Sequence, residues 1–311
     1  MANLTWNMLR AAFGLIAALA LADLPARAAT VAQQTFAEPE AAAAALVAAA
    51  EADKPADLVR ILGPAGKPLV YSGDPIADRQ GREHFAAAYA EAHKLLPSGD
   101  GRAELVLSTK EWPFPIPLVK EGERWRFDTK AGAQEILQRR IGRNELDAIE
   151  VCRAYVDAQR EYAAKGLSGG VLADYAQHFM SRHGKHDGLY WPVAAGEADS
   201  PMGPLVAAAQ AEGYGKGSHG KREPYHGYYY RILKRQGANA PGGAYDYVVN
   251  GHMIGGFALI AYPAKWGDSG VMTFEVNQDG VVYQKNLGAN TAAVAARITA
   301  FDPDGTWTKN P

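Results

Sequence analysis

The chain has 311 residues, a formal net charge of -2 and 48% hydrophobic residues. That length suits about two domains, each with enough apolar side chains for a core. The near-neutral balance gives no electrostatic case for a nucleic-acid partner, which would call for a clear basic patch or stripe.

Residues 1–30 differ from the rest of the chain. MANLTWNMLR ends in a positive charge at Arg10, AAFGLIAALALA is an apolar run, and Ala26-Arg27-Ala28 is a small-x-small site. The pattern is expected of a signal peptide (1–28) removed near Ala28, leaving an exported, periplasmic or extracellular chain. The apolar run is roughly a dozen residues, short of the ~20 that a spanning helix needs. No later stretch is long enough to span, so no membrane span is expected in the mature chain. The single cysteine, Cys152, agrees with export. It falls in register with Ile149 and Val156 and reads as a small buried hydrophobe rather than a catalytic thiol.

Residues 36–130 read as a small α+β domain. Pro39 starts an Ala-rich helix that DKP breaks near Ala52, and Asp57 to Leu62 form a second helix stopped by Gly63-Pro64. Leu69 to Ser72 suggest a short strand. Asp74-Pro75 marks a turn before a helix from Asp78 to Leu95, with Phe85, Ala88, Tyr89 and Ala92 at helical spacing. RAELVLS alternates as a strand should, and WPFPIPLVKEGERWRFDT folds back through Gly122. Helices followed by a short antiparallel sheet resemble the cone-shaped nuclear-transport-factor-2-like fold, although no residue motif carries that likeness.

Residues 131–311 read as a second α+β domain with a loop-rich insert at 166–224. The first part is helical, with a break expected at Gly142. From Arg143 to Ala164 the residues Leu146, Ile149, Cys152, Tyr155, Val156, Gln159 and Tyr162 make a one-sided stripe. The opposite face holds Glu150-Arg153 and Asp157-Arg160 pairs. The insert is expected to contain short helices at Val171 to Met180 and Pro204 to Glu212. Four or five antiparallel strands come next in YHGYYYRILKRQG, GAYDYVVN, MIGGFALIAYP and GVMTFEVNQDGVVYQKNLG, with a hairpin at Asp279-Gly280. A last helix is expected from Thr291 to Thr299.

NELDAIEVCRAYVDAQREYAAKG (144–166), together with Tyr262-Pro263, Gly267, Gly270, Phe274 and Asp279-Gly280-Val281, resembles a type IV pilin or pseudopilin head over residues 143–288. That likeness implies a long helix laid on an antiparallel sheet. The chain departs from it in lacking the transmembrane half-helix and the prepilin-type cleavage sequence, since QRRIGR precedes Asn144. A head without a filament is therefore implied. At full length, ILGPAGKPLVYSGDP, RRIGRNELDAI, DGLYWP, PYHGYYYRIL, GGAYDYVVNG and GGFALIAYPAKWGDSGVMTFEVNQDGVVYQKNLG resemble the exported domain-of-unknown-function 2950 family. This resemblance implies architecture and export and no activity.

No catalytic residue or cofactor is indicated: the chain has no G-x-S-x-G elbow, P-loop or G-x-G-x-x-G. His178, His183, His186 and Asp187 have ligand chemistry for a metal, at spacings that match no specific motif. Tyr190, Trp191, Tyr225, Tyr228, Tyr230 and Tyr245 are candidate interface residues, since exposed aromatics favour protein contacts. Trp112, Phe114, Trp125 and Phe127 are candidates for lining a small-molecule pocket in the first domain. The favoured expectation is a non-enzymatic envelope protein for assembly, scaffolding or adhesion, binding another envelope protein through the second domain. The alternative is a small-ligand-binding protein, or a hydrolase- or isomerase-type enzyme, using a first-domain pocket. An open, polar-floored cavity near Trp112 and Trp125 would favour the alternative.

Overall fold

The chain alternates helices with two antiparallel sheets, an α+β architecture, in a computed structural model that describes residues 32–99, 101–168, 173–193, 199–215 and 223–310. The first part contains α1 (Pro39–Glu51), α2 (Pro55–Leu62), α3 (Lys67–Val70) and α4 (Pro75–Glu91). Strands β1 (His93–Pro97), β2 (Arg102–Leu107), β3 (Trp112–Pro113), β4 (Leu118–Glu121) and β5 (Arg124–Phe127) follow. They pair antiparallel in the order β1-β2-β4-β5, with β3 also on β2. Gly122, at φ +62°, makes the β4–β5 turn. Leu46, Leu58, Ile61, Leu62, Ile116 and Phe127 form the core between these helices and the sheet.

Helix α5 (Thr129–Ala164) has 36 residues, or roughly 54 Å of length. It runs unbroken through Gly142, correcting the expected break. A single glycine costs about 1 kcal/mol in a helix, too little to interrupt one anchored at both ends. Gly132 allows the anchoring at the first end, since a Cβ there would fall on the Pro115 carbonyl. The helix thus leaves the first core and enters a second one across the boundary expected near residue 130.

After α6 (Gly203–Ala211) come β6 (Tyr228–Leu233), β7 (Arg235–Gln236), β8 (Tyr245–Asp246), β9 (Val248–Val249), β10 (His252–Met253), β11 (Ala258–Pro263), β12 (Met272–Asn277) and β13 (Tyr283–Asn286). Helix α7 (Thr291–Arg297) and β14 (Thr308–Lys309) end the fold. The main sheet has the order β14-β13-β12-β11-β6, and β7-β8 and β9-β10 form two small ribbons. Gly280, at φ +79°, closes the β12–β13 connection.

The second half of α5 packs on β11 and β12. Ala148, Ile149, Cys152, Tyr155, Val156 and Tyr162 join Phe257, Leu259, Phe274 and Val276 in one core. Polar side chains fix the docking. Glu145 Oε1 accepts from the amides of Val271 (2.9 Å) and Met272 (3.0 Å), and Tyr155 donates to the Ala258 carbonyl at 3.2 Å. Gln159, fully buried, exchanges two hydrogen bonds with the backbone of Ala176, both at 2.8 Å.

Four local expectations need correction. Lys67–Val70 is a helical turn where Leu69 to Ser72 suggested a strand, because Pro68 suits a first helical turn and cannot donate to a ladder. Helix α4 stops at Glu91, and His93–Pro97 forms a strand paired with β2. Between 173 and 180 no helix forms: the Tyr175 amide bonds the Met253 carbonyl, and Met180 bridges to Tyr190. Leu146 is 65% exposed, since at that turn the buried stripe passes through Asn144 and Ala148 instead. The expected signal peptide lies outside the described residues. No helix among the described residues is long and apolar enough to cross a membrane.

Candidate functional site

A cleft of about 1260 Å³ lies between α4 and the first half of α5. Its wall along α5 extends from Ile136 to Asp147, roughly 16 Å at 1.5 Å per residue. The two ends differ in chemistry. Phe85, Leu107, Trp112, Phe114, Ile116 and Ile136 surround one end, and Leu46, Leu58 and Leu62 also line the space. The other end is formed by Asp78, Arg79, Arg140, Arg143, Asp147, Glu212, Tyr214 and His226.

The polar end is built around one buried carboxylate. Asp74, 1% exposed, caps α4: its Oδ1 accepts from the amides of Ile76 (3.2 Å) and Ala77 (3.1 Å), with Pro75 at the first helical position. Its Oδ2 accepts from the Tyr214 hydroxyl (2.9 Å) and the Gly227 amide (2.8 Å). A buried carboxylate is tolerated when such bonds replace water. Asp74 therefore ties the start of α4 to the turn after α6 and to the turn before β6.

That second turn is conformationally unusual. His226 and Gly227 are both left-handed, at φ +49° and +74°. A Cβ on Gly227 would lie 2.6 Å from Asn144 Nδ2, which donates to the Ser269 carbonyl. The turn places the His226 ring between two carboxylates. Nδ1 is 3.1 Å from Asp147 and Nε2 is 3.3 Å from Glu212. The Tyr225 ring packs edge-on at 4.1 Å. The Glu212 carbonyl accepts from Gln80 of α4 at 2.6 Å, closing this end of the cleft.

Five arginines line the cleft, and their engagements differ. Arg82 pairs with Asp53 at 2.6 Å, and Arg139 pairs with Glu135 at 2.5 Å while resting over Trp112. Arg79 is 3.6 Å from Glu83. Arg140 donates to the neutral carbonyls of Pro68 (2.8 Å) and Leu69 (2.5 Å). Burial lowers its pKa, while Asp78 and Asp268 act in the opposite sense and Arg143 adds to the lowering. Arg143, exposed and one turn further along α5, has no ion-pair partner among the described residues. Burial raises the Asp78 pKa against the opposing effect of hydrogen bonds from Ser72 and the nearby Arg140 and Arg82.

Of the four residues expected to line a pocket, Trp112 and Phe114 do so. Phe127 is fully buried in the core, edge-on to Phe114 at 6.3 Å, and Trp125 is taken up by pairing with Phe36. Among the interface candidates, Trp191 is 3% exposed and stacks with His186, and Tyr228 is fully buried with its hydroxyl on the Met272 carbonyl. Both are core residues. Tyr190, Tyr225 and Tyr230 are half-buried, and Tyr245 is exposed.

In the histidine-rich loop Asp187 is held by the Arg182 side chain and amide. No group of three metal-ligating His, Cys, Asp or Glu side chains gathers among the described residues. Cys152 is buried and its thiol is pushed up to about 12, a protonated packing group.

The polar end escaped sequence reasoning. Its members are separated by up to 153 positions, and no local motif joins them. Asp74-Pro75 was a usable signal as a helix cap, and PYHG was one as a tight turn ahead of a strand.

The architecture is thus that of an α+β protein with a cleft against the long helix α5. The chain belongs to the family described as protein of unknown function (DUF2950), which matches residues 33–310. No curated protein and no solved structure matches it.

Proposed function

We propose that this protein binds a small molecule in the cleft between α4 and α5. The main support is the cleft itself: about 1260 Å³ of space with an apolar end and a polar end. Binding sites for small molecules combine apolar lining with a few placed polar groups. The arrangement at His226 supports binding more than catalysis, since both ring nitrogens face carboxylates and neither is left for a reacting atom.

The assembly or adhesion reading has less surface to support it. Two of its six aromatic residues are in the core, and Tyr245 alone among them is exposed. Export belongs to the proposal on the strength of the apolar run and the Ala26-Arg27-Ala28 site. Terminal sequencing of the native protein should find Ala29 first, and a retained Met1 would count against export by cleavage.

The cleft can be tested by filling it. Gly81 lines it on α4, and a Cβ there meets nothing within 4 Å. Nile red, a neutral apolar dye, should brighten with the wild-type protein and fail to do so with Gly81→Trp, whose thermal melting should be preserved. Equal brightening by both, or by neither, would contradict binding in this cleft.

A further inference from the structure

We propose that the ligand is an amphiphile with an anionic head, a carboxylate or phosphate monoester, held by Arg140 and Arg143, with its apolar tail directed towards Phe85 and Phe114. This rests on the proposed binding of a small molecule in the cleft and names the chemistry of its occupant.

The direction of the ligand is set by the direction of the helices. Along α5 the lining changes from Ile136 to Arg140, Arg143 and Asp147, and along α4 from Phe85 and Ala88 back to Asp78 and Arg79. Gln80 bonds the Glu212 carbonyl, and Asp78 acts electrostatically on Arg140, so the polar ends of the two helices coincide. A molecule lying along the cleft meets apolar groups at one end and guanidinium groups at the other.

The sign of the head is set by which charged groups already have polar partners. Asp147 and Glu212 each face a ring nitrogen of His226, and Asp78 accepts from the Ser72 amide. Arg82 and Arg139 have close carboxylate partners. Arg140 is half-buried and bonds only uncharged carbonyls, with no carboxylate within ion-pair distance among the described residues. Asp78 and Asp268 favour its charge from beyond ion-pair distance, and a partly desolvated cation gains from a counter-charge in direct contact. Arg143 stands one turn away on the same helix with no ion-pair partner among the described residues. Two guanidinium groups at i, i+3 spacing lie on one helix face; Arg143, with the Arg140 N–H groups not used on the Pro68 and Leu69 carbonyls, matches carboxylate and phosphate oxygens.

Titration calorimetry on the full chain tests this, with four probes of equal tail length: dodecanoate, dodecyl phosphate, dodecanol and dodecyltrimethylammonium. One or both anions should bind at least tenfold more tightly than the alcohol, and which anion binds more tightly identifies the head. Arg143→Gln, an exposed position that should fold normally, should remove most of that difference. Added salt should weaken the anions only. Equal binding of alcohol and anion, or preference for the ammonium probe, would overturn the anionic head and leave the cleft reading standing. No binding of any probe would overturn the anionic head as well. The Nile red result then decides the cleft reading separately.

Discussion

The Tyr214 hydroxyl donates to Asp74 Oδ2 at 2.9 Å, joining positions 140 residues apart. The same oxygen accepts from the Gly227 amide, and the other oxygen caps α4. One carboxylate therefore holds three chain segments around the polar end of the cleft. Asp74→Ala should cost about 2–4 kcal/mol, the sum of a lost helix cap and buried donors left without an acceptor. Tyr214→Phe should cost about 1–2 kcal/mol. In a double-mutant cycle by urea unfolding the two losses should be clearly less than additive, because they share a bond. Full additivity would mean that the bond contributes nothing.

Two glycines of α5 should respond in opposite directions. Gly132→Ala pushes a methyl onto the Pro115 carbonyl and should destabilise by more than about 1 kcal/mol, since backbone must move. At Gly142 a Cβ meets nothing within 4 Å. Gly142→Ala should stabilise the helix by about 0.5–1 kcal/mol. Thermal melting of both variants checks the pair, and a destabilised Gly142→Ala would contradict a continuous helix.

Ile149 is 6% exposed where α5 lies on the sheet. Ile149→Asp places a carboxylate there without a partner, and a loss of about 3 kcal/mol or more is expected. An unchanged melting curve would remove α5 from the sheet.

Glu275 gives the protein a pH-dependent stability. Burial raises its carboxyl from 4.5 to about 8, opposed by a hydrogen bond from the Asp302 backbone, and its Oε2 has no partner. Over that range the folded state keeps a proton that the unfolded state has released. Stability is therefore expected to fall as pH rises from about 4.5 to 8. Glu275→Gln should flatten this slope and raise stability at about pH 8, measured by denaturant unfolding at several pH values. An identical slope in the variant would show that Glu275 is not its source.

How far the sequence revealed the fold depends on how local each signal was. The stripe Ile149, Cys152, Tyr155, Val156, Tyr162 is repeated within one helix, so its burial could be read from spacing alone. The strands around Asp279-Gly280 announced themselves by alternation and a turn. Lys67–Val70 and His93–Pro97 misled, because four or five residues give too little periodicity to choose between helix and strand. At Tyr228 alternation predicted one buried set and one exposed set, whereas β6 buries its two ends, Tyr228 and Leu233, and half-buries the residues between. The polar end of the cleft was the least legible. Arg140 and Asp147 share α5, but Asp74, Glu212 and His226 come from three other segments, and only the fold brings them together.

The most direct measurement is a crystal structure of the chain grown with dodecanoate. An extended ligand is expected between α4 and α5, its carboxylate against Arg140 and Arg143 and its tail beside Phe85 and Phe114. A cleft filled by the protein's own side chains, or dodecanoate bound elsewhere, would contradict ligand binding along α5.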